Sequence, residues 1–477
     1  MSSRVRVLSV THVRPAETPN PPPHDADHSI KLSLFDTLFI ALTPIRRLFF
    51  YEGDDLPPFP ALVRTLRSSL AATLAVFTPL AGRVAVSPSG EDVAIDCSPG
   101  TVSRGVRFVE AEYAGTADDV RRMAGAAEHD AEAYAQLAPA LEVSALPAPA
   151  LAVQVTRPAA DVSGGDGGGV GALVVGVSVN HVVADGRAVW EFIRAWAAAA
   201  RGGSTAGTGF VPPTFDRAAI NGCHPKAEEV ARKFLRTLAP ALPTQDPDQR
   251  QARRTYLLSA SQIRSLKHRI SLHNKGAAAA TAPASAANPP TTSTYAAVAS
   301  LVWTSAVRAK NALNHAGDDA YLMFAADCRA RLHPPLPGAF FGNCAKACYA
   351  RATVGGLRDG GGEALARAAA AVREAVREQL ADPVADAGQW LERHRALPPD
   401  RTVQVGASDR FAAYETDFGW GRPARVELAS VFVKEFVAVV GAPDGAVQVS
   451  VALDRDRMDG FEANFLSQLQ LQLQASS

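Results

Sequence analysis

A histidine followed four positions later by an aspartate and a glycine, His181-Val-Val-Ala-Asp185-Gly186, is the stretch of this chain best suited to chemistry. Imidazole titrates near neutrality, so a histidine where a strand ends at a cleft can take a proton from a hydroxyl or an amine. Asp185 can orient the turn by pairing with an arginine or by capping the next helix, and Gly186 permits a tight backbone. By spacing alone, a strand-end histidine is more often structural. A second constellation lies over two hundred residues later, in Asp417-Phe-Gly-Trp-Gly421-Arg-Pro. Gly419 and Gly421 flank Trp420 as in a sharp turn with an aromatic anchor, and Asp417 needs a partner, Arg422 or a distant arginine.

Other chemistries lack their residues. A serine hydrolase would want Gly-x-Ser-x-Gly, which does not occur. The run Ser-Gly-Gly-Asp-Gly-Gly-Gly at 163–169 is not followed by the Lys-Ser/Thr of a phosphate-cradling loop and reads as a hairpin or surface loop. The five cysteines, Cys97, Cys223, Cys328, Cys344 and Cys348, contain no Cys-x-x-Cys pair and read as buried free thiols, with no metal site expected. Lys plus Arg and Asp plus Glu are each 48, so no global basic field draws nucleic acid or an anionic membrane. The most apolar early stretch, Leu34 to Tyr51, is broken by Asp36, Pro44, Arg46 and Arg47, too charged to span a bilayer. With no apolar run for a secretory signal near Met1, the expected location is the cytoplasm.

The elements that must hold these residues follow from periodicity. Ala172 to Val179 is a β-rich run that reads as a buried strand, and from Ala188 to Ala197 the spacing is helical, so His181 falls where a strand ends and a helix begins. Leu62, Leu66, Leu70 and Leu74 make an amphipathic helix between Pro58 and Pro79. Residues 16–28 read as an extended lead-in, Arg201 to Asp216 as the domain crossover and Gly276 to Thr292 as a low-complexity insertion. Helices are expected over Tyr295–Asn311, over Ala364–Leu380 and from Met458, a short strand over Tyr321–Ala326, and a hairpin from Val431–Val440 and Val447–Leu453. Strands and helices thus mix in both halves, an α/β (mixed α+β) fold class. The expected organisation is an N-terminal domain 1–205 with His181 and Asp185, a crossover linker 206–250, and a C-terminal domain 251–477 with the Asp417–Gly421 motif. Nothing signals an oligomer, so a monomer is expected.

The two motifs, in this order and separation, resemble those of the plant BAHD acyltransferases, which move acyl groups from coenzyme A thioesters to alcohols or amines. Leu80-Ala-Gly-Arg83, Asp327-Cys-Arg-Ala-Arg331, Phe340-Phe-Gly-Asn-Cys344 and Met458-Asp-Gly-Phe461 look like further landmarks along almost the whole chain. The resemblance implies two similar-sized sheet-plus-helix domains of the chloramphenicol-acetyltransferase-like type, joined by a crossover loop, with a channel between them. It implies that His181 is the general base of a direct, ternary-complex transfer, and that acyl-CoA is a co-substrate with no permanently bound cofactor. Asp185 matches the aspartate that holds the loop through an arginine, here Arg329 with Arg331 as runner-up; Gly186, Asp417, Gly419, Trp420 and Gly421 would shape the site. Ser408 stands where many hydroxycinnamoyl transferases carry a tryptophan. Together with Arg47-Leu-Phe-Phe-Tyr-Glu52 it looks more like the flavonoid and anthocyanin glucoside branch. The partners would be an acyl-CoA and a phenolic or flavonoid glycoside. Arg187 would hold the free carboxylate of a malonyl donor, an interaction closed to acetyl or coumaroyl, or else simply face solvent in the first helical turn. Two alternatives stand beside this: a hydroxycinnamoyl-CoA transferase to an alcohol or amine, and a catalytically silent binder of acyl-CoA or flavonoids.

Overall fold

The computed structural model describes residues 3–17, 28–87, 90, 92–159, 169–202, 211–243, 251–279, 291–310, 315–359, 362–430 and 435–470. Most of the lead-in at 16–28, the glycine run before Gly169 and most of the insertion at 276–292 lie outside the described residues. The chain divides into two compact units, one of Met1–Gln249, Leu332–Ala345 and Ala412–Phe432, the other of Arg250–Arg331, Lys346–Phe411 and Val433–Ser477. Each is a mixed sheet with helices, as the fold class requires.

In the first unit a six-stranded sheet runs in the order Val5–Val13, Val106–Tyr113, Leu151–Pro158, Ala172–Val179, Ile45–Glu52, Arg425–Leu428. Neighbours are antiparallel except Val106–Tyr113 with Leu151–Pro158, which are parallel. Ala172–Val179 is central and buried at all its positions, which explains its unbroken apolar composition. The leucine stripe lies on helix Phe59–Val76, where Leu62, Leu66, Leu70 and Leu74 are fully buried. Helix Gly186–Ala200 packs against it, and the Trp196 indole donates to the Leu66 carbonyl at 3.2 Å and to Ser69 Oγ at 3.0 Å. A four-stranded sheet of Ser29–Lys31, Val93–Asp96, Arg83–Val86 and Ala148–Pro149 completes this unit.

The second unit holds a sheet in the order Ala252–Leu258, Val447–Leu453, Phe436–Gly441, Thr402–Ala412, Asp319–Asp327, Ala345–Thr353. Val447–Leu453 and Phe436–Gly441 form the expected antiparallel hairpin, although residues 431–434 of its first arm lie outside the described set. Helix Thr294–Ala309 is buried around most of its circumference, beside helices Gly362–Gln379 and Arg455–Gln470.

Two parts of the expected organisation differ from the structure. The segment read as a linker contains a helix, Ala227–Leu238, that buries Val230, Ala231, Phe234 and Leu235 in the first unit. The Asp417–Gly421 motif, assigned above to the C-terminal domain, belongs to the first unit. Strand Arg425–Leu428 pairs antiparallel with Ile45–Glu52, Arg425 opposite Phe50 and Leu428 opposite Arg47, and carries the motif with it. No helix among the described residues is long and apolar enough to cross a membrane.

Candidate active site

The chain leaves the central strand at Val179 and turns over Asn180–Ala184. Asn180 shapes the turn, its Oδ1 accepting from the Val182 amide at 3.2 Å and its carbonyl from the Val183 amide at 3.0 Å. Asp185 then starts helix Gly186–Ala200 as its N-cap, Oδ1 accepting from the Ala188 amide at 3.0 Å. Its second oxygen accepts from the Cys344 amide, also at 3.0 Å. The capping role is therefore present, and Gly186 is the first residue of the helix.

His181 is buried, with only 9% of its surface exposed. Burial pushes its imidazole down from 6.5 to about 4, against smaller opposing effects of a hydrogen bond to its own backbone, the Asp185 charge and the Asn343 side chain. The ring is neutral through the physiological range, because burial disfavours its protonated form. Phe39 stacks on it with centroids 4.2 Å apart and planes 8° from parallel.

Phe340-Phe-Gly-Asn-Cys344 wraps the other side of this turn. The two hydrogens of Asn343 Nδ2 are shared among three acceptors, the His181 carbonyl at 3.0 Å, the Val182 carbonyl at 2.9 Å and Asp36 Oδ1 at 3.0 Å, and the Asn343 amide donates to that same Oδ1 at 3.0 Å. Asp36 lies in the short helix Leu34–Thr37, inside a capping box with Ser33, whose amide and Oγ donate to Oδ2 at 2.9 and 2.7 Å. Arg217 Nε completes the carboxylate shell at 3.3 Å, and Arg217 Nη1 donates to the Phe341 carbonyl at 2.9 Å. Gly342 leaves room for this guanidinium: a Cβ there would come within 2.4 Å of Arg217 Nη2 and would have to displace it. Phe39 and Arg217 were not singled out in the sequence, Asp36 stood out only as a charge in an apolar run, and Asn343 only as part of the Phe340–Cys344 landmark. The signal in the sequence was Ser33-Leu-Phe-Asp36, a capping box set in an otherwise apolar run.

The remaining predicted residues occupy several environments. Arg187 is about a third exposed, its Nε paired with Glu191 one turn along the helix at 3.1 Å and its Nη2 donating to the Gly338 carbonyl at 3.1 Å. Asp417 does not use Arg422 for its carboxylate; Oδ1 accepts from the amides of Gly419 at 2.7 Å and Gly421 at 3.0 Å. A distant arginine is present, but Arg201 donates to the Asp417 backbone carbonyl. Gly419 and Gly421 have φ of 110° and 96°, which a side chain would strain. Trp420 anchors the loop, stacked on Phe418 and edge-on to Tyr51, whose hydroxyl donates to the Thr416 carbonyl at 2.7 Å. Arg329 belongs to the second unit, where it is buried and meets Asp327 at 3.1 Å. Ser408, on strand Thr402–Ala412 of that unit, accepts from the Arg410 amide at 3.2 Å. None of the five cysteines forms a disulfide, and four of them are buried.

The family model described as "Transferase family" matches residues 8–468. Among curated proteins the chain is similar to phenolic glucoside malonyltransferase 1 of Arabidopsis thaliana, 26% identical over 490 residues and covering 96% of each chain. It is also similar to malonyl-CoA:anthocyanidin 5-O-glucoside-6''-O-malonyltransferase of Arabidopsis thaliana, 27% identical, covering 97% of this chain and 98% of that one. Among solved structures, vinorine synthase shares the fold with a TM-score of 0.71 at 21% identity, over 97% of this chain and 98% of that one. TRI101 of F. sporotrichioides, complexed with coenzyme A and T-2, gives a TM-score of 0.62 at 18% identity, over 91% and 97%.

Proposed function

From the premise that the chain belongs to the BAHD family of acyl-CoA-dependent acyltransferases, we propose that it transfers a malonyl group from malonyl-CoA to a sugar hydroxyl of a phenolic glycoside. The coarser activity, O-acyl transfer from acyl-CoA to a small-molecule hydroxyl, is that of the family to which it belongs. The observation that supports His181 as the base is its burial at the end of the central strand; the malonyl part of the reading is carried by Arg187.

In this reading His181 takes the acceptor hydroxyl proton as the oxygen attacks the thioester carbonyl. A new C–O bond forms, the tetrahedral adduct collapses, and the C–S bond breaks. The imidazolium returns its proton to the departing thiolate, so coenzyme A leaves as the thiol and no acyl-enzyme is needed. Burial keeps the lone pair unprotonated before the step, while the lowered pKa makes the ring a weaker acceptor whose imidazolium has to be stabilised as it forms. Asp185 holds the turn through the helix cap and the Cys344 amide, and Arg329 is its proposed arginine partner.

The malonyl assignment rests on Arg187, two residues past the cap, whose guanidinium is fixed by Glu191 and the Gly338 carbonyl and can meet a carboxylate with little loss of side-chain entropy. The names of the relatives above agree with that donor and with a glucoside acceptor. Ser408, in place of the tryptophan of many hydroxycinnamoyl transferases, leaves that tryptophan's proposed oxyanion role unfilled and fits the flavonoid and anthocyanin glucoside branch.

The test is a competition in one vessel, with equimolar malonyl-, acetyl-, coumaroyl- and caffeoyl-CoA, a panel of flavonoid glucosides, anthocyanins and amines, and mass spectrometric detection. A malonyl-shifted glycoside absent with His181→Gln is the expected product. An aromatic mass shift would overturn the donor, an amide would overturn the acceptor, and ligand binding without any product would favour the silent binder.

A further inference from the structure

The base does not stand alone in its unit. The short helix Leu34–Thr37 and the Gly342-Asn343-Cys344 segment, 307 residues apart at the Asp36–Asn343 contact, meet at the backbone of His181. The orientation of the Asn343 amide is fixed by chemistry. Asp36 Oδ1 and the carbonyls of His181 and Val182 are all acceptors, so only the Nδ2 end can face them. Oδ1 must then point the other way, and it is buried without a hydrogen-bond partner of ordinary geometry among the described residues. Meanwhile Phe39, one turn after Asp36, lies flat on the imidazole.

We propose that Asp36 and Asn343 are positioning residues for His181, with Phe39 as the third element of the same device. Asp36 holds Asn343, Asn343 clamps the two carbonyls that set the course of the His181 backbone, and Phe39 limits rotation of the ring. The Asn343 Oδ1, displaced from the clamp, offers a neutral acceptor on the side of the imidazole, available when the ring becomes an imidazolium. The Asn343 side chain indeed acts on His181 in that direction, favouring its protonated form against the desolvation that opposes it. Arg217 and Gly342 support the clamp from behind, one by pairing with Asp36 and bonding the Phe341 carbonyl, the other by leaving room for that guanidinium. This inference rests on the reading of His181 as the base, and its test separates the two.

The full-length enzyme is prepared as Asn343→Ala, Asp36→Ala, Asp36→Asn, Phe39→Leu and His181→Gln. Each is assayed for kcat and for the KM of its acyl-CoA, and examined by 15N-histidine NMR, in which the His181 ring signals are assigned by their loss in His181→Gln. A base displaced by about 1 Å costs on the order of 100-fold in rate. Asn343→Ala and Asp36→Ala are expected to lose about that much kcat with KM little changed, and the ring-nitrogen shifts of His181 should move toward tautomer averaging. Asp36→Asn can keep an acceptor for Asn343 only by turning its amide nitrogen toward the Ser33 and Arg217 donors, so it should recover only part of the lost kcat. Phe39 is only half-buried, so Phe39→Leu folds even if the clamp variants do not, and it should lower kcat several-fold with altered ring shifts. Unchanged kcat and His181 shifts in the folded clamp variants and Phe39→Leu, with His181→Gln inactive, would overturn the positioning device and leave the base standing. An active His181→Gln would overturn the base itself.

Discussion

If His181 is buried as a neutral imidazole, acid should unfold the protein through it, by an amount the structure sets. In the unfolded chain the ring titrates at about 6.5, and in the folded one at about 4. Between those values the unfolded state binds a proton that the native state does not, so stability falls as pH is lowered through the window. Above pH 6.5 neither state is protonated and the contribution is fully present. Below about 4 both are, and the loss stops growing. At roughly 1.4 kcal/mol per pH unit the whole window is worth about 3 kcal/mol, an upper figure because hydration of the folded site would narrow it. Other groups titrate in the same range, so the readout is the stability difference between wild type and His181→Gln, followed by urea unfolding from pH 7.5 to 4. That difference should hold steady above 6.5 and then move by about 3 kcal/mol in favour of the variant. The acid limb of wild-type kcat/KM should likewise fall well below 6.5. Parallel stability curves and a limb at 6.5 together would show a hydrated imidazole and refute the reasoning.

Asp185→Ala removes the cap at Ala188, worth about 1 kcal/mol, and strands the buried Cys344 amide, worth about 1 to 3 kcal/mol more. A lowered Tm with lost activity is expected, a double-mutant cycle with Arg329→Gln measures the proposed pairing, and unchanged stability would make the carboxylate idle. Arg187→Ala should raise the KM for malonyl-CoA about tenfold or more and leave that for acetyl-CoA nearly unmoved, as steady-state kinetics with the two donors will read. Equal changes for both would make the arginine a bystander.

The strand, turn and helix around His181 were legible because they are local. An unbroken apolar run buried in a sheet centre, a short polar turn and a helical spacing beginning within ten residues leave little choice of geometry. The leucine stripe of Phe59–Val76 was readable for the same reason, since its period alone names the buried face. The Asp417 loop was readable only in part. Its glycines announced the turn, but the carboxylate turned inward to the amides of its own loop instead of pairing with Arg422. Aspartate in a turn has that choice, and spacing does not decide it.

What could not be read depends on contacts across the chain. Strand Arg425–Leu428 has four residues, too few to show a pattern, and its place in the first sheet comes from register against Ile45–Glu52. A boundary drawn along the sequence therefore placed the Asp417 loop on the wrong side. Asp36 stood out only as a charge interrupting an apolar run, and Phe340-Phe-Gly-Asn-Cys344 only as a landmark. Each acquires a reason through the other: Phe341 supplies a carbonyl to Arg217, Gly342 makes room for it, Asn343 joins Asp36 to the His181 turn, and Cys344 supplies an amide to Asp185.

The charges of this cluster explain why an amide stands next to the imidazole. A carboxylate in the place of Asn343 would stabilise imidazolium and cancel the burial that holds His181 neutral. The carboxylate that the clamp requires is instead one residue further back, at Asp36, and the Arg217 guanidinium balances it there. Asp185, the other acid close by, spends its oxygens on the Ala188 and Cys344 amides, which disperses its charge into backbone donors. Its residual pull on His181 is in the direction of protonation but smaller than the effect of desolvation. The turn is thus held by strong, charge-assisted bonds while the ring itself meets a neutral amide and an aromatic face. That separation lets the histidine be rigidly placed while burial, rather than a neighbouring acid, sets its protonation, as the proposed base role requires.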